Sequence, residues 1–139
     1  MKFELIPLSG VKLDQEIYSA TIPTIDGEIS VFPSHEPLVT MAKNGVIAVT
    51  SQKDGDEVEY FAISGGVVEI THERIRVLVD EADHGEDIIE AETKAALDRA
   101  MKLRDETDDQ VEREKAHQLI DRHLVRLKVA DLQRRKRQR

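Results

Sequence analysis

Tyr18, Ala20 and Ile22 alternate with Ser19 and Thr21, and an apolar–polar alternation of period two marks a half-buried β-strand. The same character runs through residues 2–79. Segments 46–50, 58–63, 67–70 and 75–79 are rich in β-branched and aromatic residues, which suit a pleated surface. Turn chemistry divides them. Asp26-Gly27, Asn44-Gly45 and Lys53-Asp54-Gly55-Asp56 tolerate positive φ or bond their own backbone, and residues 72–74 separate the last two strands. Strands at roughly 8–12-residue spacing predict an all-β sandwich or barrel. No helical stretch intervenes, so parallel βαβ units are not expected. Gly65-Gly66 lacks the lysine and spacing of a phosphate loop and opens no helix; within a strand it predicts a bulge or a close backbone approach.

After the acidic stretch 80–87 the period changes. Ile89, Thr93, Ala96, Ala100 and Leu103 step by three or four and form one face of a helix, with Asp87 ahead of Glu90 as its expected N-terminal cap. The acidic run 105–109 breaks this pattern and is short enough to join antiparallel helices. Ala116, Ile120, Leu124, Leu127 and Asp131 share a face of the second helix. Ala91, Ala95, Ala96 and Ala100 let two helix backbones approach closely. The expected architecture is a mainly β N-terminal sandwich or barrel over residues 1–84, followed by an antiparallel helical hairpin over 85–139. A hairpin of about fifty residues buries little core alone, so it leans on the β-domain, on a partner, or exchanges between them.

Composition narrows the function classes. The 139 residues suffice for one domain, or a small one with an appendage. No apolar run approaches the roughly 20 residues of a membrane-spanning helix, and the first residues lack the long apolar region of a secretory signal. With no cysteine, disulfides, thiolate zinc sites and cysteine nucleophiles are excluded, as in a reducing compartment. The net charge of −8 is unevenly spread. Residues 1–86 carry six Lys/Arg against sixteen Asp/Glu, which argues against a nucleic-acid partner. Residues 122–139 carry eight Lys/Arg against one acid and no aromatic residue. That end reads either as a solvated tail or as a cationic helix that docks on an acidic protein surface. Ser34, His35 and Glu36 are chain neighbours that point to different sides of an extended loop, so adjacency makes no triad. His117 and His123 do not share a helical face as a metal pair would, and the other histidines are scattered. No catalytic set, metal site or cofactor is expected.

Taken in order, several segments resemble the epsilon subunit of F-type ATP synthases: 26–39 (DGEISVFPSHEPLV), 45–49 with Asn44 before it, the Gly-Gly strand 60–70, the segment 77–83, and the hairpin that follows. The resemblance implies a sandwich of about ten strands and two antiparallel helices. It implies a non-catalytic rotor part. The β-domain would grip the gamma subunit and sit on the c-subunit ring, carrying ring rotation driven by proton or sodium flow to the catalytic head. The helices would swing out at 80–87, reach the alpha/beta head transiently and restrain ATP hydrolysis. It further implies a peripheral position on the cytoplasmic face of a bacterial plasma membrane, reached only through the complex. Glu28, Phe32 and His35 would make the ring and shaft contact. Arg122, Arg126, Arg134 and Arg135, with Lys136, Arg137 and Arg139, would form the head-docking, inhibitory helix. Two departures stand out: Ser30 and Ser34 replace residues that are usually glycine in that family. Some members bind ATP between the helices through Asp-x-x-Arg-Ala; here Asp98 is followed at once by Arg99-Ala100, so no tight ATP site is expected. Two other classes compete: a free-standing β-sandwich binding module with a helical dimerisation hairpin, and a small hydrolase using Ser34 and His35.

Overall fold

A computed structural model of the chain describes residues 1–10 and 13–138. Eight strands come first: β1 Lys2–Pro7, β2 Leu13–Glu16, β3 Ser19–Thr24, β4 Gly27–Val31, β5 Leu38–Ala42, β6 Gly45–Thr50, β7 Val58–Ile70 and β8 Arg74–His84. A 3-10 turn, Gly85–Asp87, leads to α1, Glu90–Glu106, and α2, Gln110–Arg137. The strands follow the order β2-β1-β8-β7-β5-β3-β4, with β6 pairing both β3 and β7. The ladders are antiparallel except one: β1 runs parallel to β8, from Lys2↔Arg74 to Pro7↔Val79. One continuous core lies inside. Phe3 and Leu5 of β1, Ile22 of β3, Val31 of β4, Ile47 and Val49 of β6, and Val77 of β8 are all fully buried in it.

The described residues form eight strands where the resemblance implies about ten, and the two segments 58–63 and 67–70 form a single strand. Gly65 and Gly66 bend β7 without ending it. Ala42 of β5 pairs with Gly66, Gly45 of β6 pairs with Ile63, and the register is the same on both sides, so no residue is inserted. The glycines serve close approach rather than a bulge. Gly66 has φ 145°, and a Cβ there would lie 1.9 Å from the Leu78 carbonyl oxygen. Gly65, at φ 42°, donates its N–H to Asn44 Oδ1 at 2.7 Å. The acidic stretch 80–87 is likewise ordered secondary structure: β8 runs through His84, and His84 Nδ1 accepts from the Glu86 N–H at 3.0 Å to cap the 3-10 turn.

The helical hairpin forms with its faces turned from the expected ones. Asp87 belongs to the 3-10 turn, and α1 begins after Ile89 with no side-chain cap. Thr93, Leu97 and Ala100 are buried, whereas Ile89 and Leu103 are exposed. Asp109 caps α2 by accepting from the Val111 N–H at 3.0 Å, and Thr107 Oγ1 donates to Glu112 Oε2 at 2.7 Å, which fixes the connection. α2 has 28 residues against 17 in α1, so its two halves meet different neighbours. Ile120 packs with Leu97 and Ala100 of α1. Val129 and Ala130 pack with Ala62 and Ile88, flanked by Val46, Tyr60 and Val125. Gly85 lies under this seam, where a Cβ would come within 3.0 Å of Gln133 Oε1. Leu124, expected on the packed face, is 47% exposed.

Candidate functional site

The loop singled out in the sequence lies along a sheet margin. The β3–β4 turn is closed by Thr24, whose hydroxyl donates to the Gly27 carbonyl at 2.6 Å and accepts from the Asp26 N–H. Glu28 is exposed at the start of β4, the terminal strand of the sheet order, across from Pro23. Phe32 follows β4, half in solvent, with its ring edge-on to Tyr18 at 5.9 Å. A tight turn comes next, with His35 N–H donating to the Phe32 carbonyl and Ser34 held at φ 66°. The half-buried His35 ring donates through Nδ1 to the Glu36 carbonyl at 2.7 Å. Glu28 and Phe32 thus share one margin of the sandwich, and His35 sits on the turn that continues it. Ser34 and His35 share no hydrogen bond, and His35 spends its Nδ1 on backbone rather than on a carboxylate.

A second surface was missed from sequence. Val39 and Met41 of β5, Val67 of β7 and Leu78 of β8 point away from the core and are between 37% and 69% exposed. Met41 pairs with Val67 and Val67 with Leu78, so they form one apolar row across three strands. The signal was available: Leu38-Val39-Thr40-Met41-Ala42 is apolar at nearly every position, and alternation then leaves apolar side chains on both faces.

The basic residues of α2 meet this chain's own carboxylates. Arg122 lies 3.5 Å from Glu81 and Arg126 3.5 Å from Asp83, both acids on β8. Arg134 bonds Glu90 of α1 at 2.9 Å and also Asp131, and Arg135 reaches Asp131 at 3.2 Å. The four arginines therefore fall into two groups: Arg122 and Arg126 fasten α2 to the sandwich, whereas Arg134 and Arg135 fasten it to α1 and to itself. Arg139 lies outside the described residues. Each pair is partly solvated and contributes about 0–1 kcal/mol. His123 lies within the first group, between Arg122 and Arg126 along α2. Burial lowers its pKa from the ordinary histidine value, as do the guanidiniums of Arg126, Arg99 and Arg122, against a smaller opposing pull from Glu81. Among the described residues, no group of three or more His, Asp or Glu side chains is placed to hold a metal ion. No helix among them is long and apolar enough to cross a membrane.

Comparison with known proteins agrees with this architecture. The family model for the ATP synthase, Delta/Epsilon chain, beta-sandwich domain matches residues 1–85. An ATP synthase epsilon chain of Herpetosiphon aurantiacus is 32% identical over 137 residues, covering 96% of each chain. One from Chromobacterium violaceum is 34% identical over 134 residues, covering 94% of this chain and 93% of its own. Among solved structures, a chain of the Euglena gracilis mitochondrial ATP synthase, solved as OSCP/F1/c-ring in rotational state 1, superposes with TM-score 0.71 at 21% identity. That match covers 94% of this chain and 79% of the other. A chain of the Tetrahymena thermophila mitochondrial ATP synthase central stalk/c-ring gives 0.59 at 12% identity, with 94% and 96% covered. At these identities the structural likeness is one of fold.

Proposed function

This chain belongs to the epsilon chains of ATP synthase, and from that premise we propose that it is a central-stalk rotor subunit that couples proton-driven ring rotation to ATP synthesis and restrains ATP hydrolysis through its helices. The margin carrying Glu28, Phe32 and His35 meets the polar loops of the c-ring. The apolar row Met41-Val67-Leu78 packs on the gamma subunit. The chain performs no bond-making of its own; its work is mechanical, and it is attached to the cytoplasmic face of a bacterial membrane only through its partners. Arg122, Arg126, Arg134 and Arg135 engage the alpha/beta head once the hairpin leaves the sandwich.

The observation that carries the docking part is the outward apolar row on an otherwise strongly acidic domain. Exposed apolar rows on a charged domain mark a protein interface. Broad packing of this kind, rather than any single exposed ion pair, sustains a load-transmitting contact. The test is to introduce Val67→Lys with Leu78→Lys and purify the complex from solubilised membranes. Both side chains point to solvent, so the variant keeps its circular dichroism spectrum and is lost from the complex. Retention of the variant at the normal ratio to gamma would overturn the assignment of this face.

A further inference from the structure

The apolar row of the sandwich does not stop at Met41. Thr24 and Ala42 pair, and both are buried. On the next rung the Ile25 N–H donates to the Met41 carbonyl at 3.1 Å. Alternation turns Ile25 and Met41 away from the core, and both are exposed. Ile25 in turn walls a shallow groove whose other bank is α2. Ala42 and Lys43 line it from the sandwich, and Asp121, Leu124 and Val125 from the helix. Ala42 belongs to the principal core and Val125 flanks the seam around Val129, so the groove lies over the joint between the two parts. Two features describe what fits there. The rim donors are spent: Ile25 N–H on Met41, Lys43 N–H on the Pro23 carbonyl, and Asn44 Oδ1 accepts from Gly65 N–H. Strand addition therefore finds no free donor at Ile25 or Lys43, and an occupant is read through its side chains, as a helix in a groove is. The banks also carry opposite charges, since Lys43 and Asp121 are exposed and make no ion pair with the described residues.

We propose that a helix of the gamma subunit lies in this groove and clamps the hairpin on the sandwich. It sets an apolar side chain between Ile25 and Leu124, an acid toward Lys43 and a base toward Asp121. The proposal rests on the reading of the row Met41-Val67-Leu78 as the gamma face, because the groove continues that row. The two rim charges are solvated, so they set the orientation of the occupant more than its affinity. A helix touching both banks binds the docked chain better than the released one. By linkage, gamma then favours the docked hairpin by the same factor by which docking strengthens gamma binding. Release of the hairpin strips Leu124 from the contact but leaves the row, so the chain stays on the shaft while α2 moves.

Hydrogen exchange on the full-length chain, alone and in its complex with gamma, tests the clamp. The C-terminal half of α2 is expected to exchange about tenfold more slowly in the complex, a coupling of about 1.4 kcal/mol. Leu124→Lys and Ile25→Lys each remove that gain while protection around Val67 persists. Both residues are exposed, so the isolated variants keep their circular dichroism spectra. Ile25→Lys leaves α2 itself unaltered, so its effect on α2 reports the contact rather than damage to the helix. Equal exchange of α2 in the free and bound chain, or a gain undiminished in Ile25→Lys, would overturn the proposal. So would an isolated chain that dimerises and loses its dimer on Leu124→Lys, because a second copy then owns the groove. Failure of the gamma face itself reads differently: the variant with Val67→Lys and Leu78→Lys stays in the complex, and the clamp falls with it.

Discussion

Ser34 holds φ 66°, a region in which a side chain crowds the following carbonyl at a cost of roughly 1–2 kcal/mol. Among the described residues it is the one non-glycine residue with positive φ. Glycine removes that crowding but loosens the unfolded chain, so Ser34→Gly is expected to stabilise the protein by about 0.5–1 kcal/mol, read from the urea midpoint. An unchanged or lowered midpoint would show that the turn is relaxed with serine. Ser30, the other departure from the family's glycines, has ordinary backbone angles and its Oγ lies 3.4 Å from Thr21 Oγ1 across the ladder, so it carries no such strain. The two serines look alike in the sequence; only the backbone angle tells them apart.

Among elements, the strands were legible because turn residues and β-branched runs are local signals. The expected segments at 46–50, 58–63, 67–70 and 75–79 all lie within β6, β7 or β8. What could not be read was whether Gly65-Gly66 stops a strand, since that depends on Leu78 lying across from it. Helix faces failed for a similar reason. Thr93 and Ala100 were placed correctly, but α1 has overlapping apolar stripes, and the choice of Leu97 over Leu103 is made by the partner helix. For the candidate site, the loop residues rest on resemblance to a family alone, and the ion-pair partners of the α2 arginines were not anticipated, being 41 residues away for Arg122. The seam that these arginines flank carries more energy than they do. Val129→Asp puts an unpaired carboxylate into a fully buried position, costing about 3 kcal/mol or more at the seam. Hydrogen exchange should then show the C-terminal half of α2 unprotected while β7 and β8 stay protected; loss of protection throughout would mean that helix and sandwich are one cooperative unit.

As a whole molecule, the chain divides its charge against itself: an acidic sandwich and a basic helix end, with Glu81, Asp83 and Glu90 engaging the arginines. The principal core draws on the strands and the short segments between them, from Phe3 to Val79, without any helical side chain. A chain ending at Gly85 should therefore unfold in a single cooperative transition, and a complex carrying it should assemble on the ring yet hydrolyse ATP faster than the parent complex. An unchanged hydrolysis rate would count against a restraining role for the hairpin. The parallel pairing of β1 with β8 also sets a timetable for biosynthesis. Until the ribosome has delivered residues as late as Val79, Phe3 and Leu5 have only the four-residue β2 beside them. The oldest strand of the nascent chain must wait for the youngest, so closure is a late, long-range event, and it is then that unshielded β1 is most open to capture by chaperones or by neighbouring nascent chains.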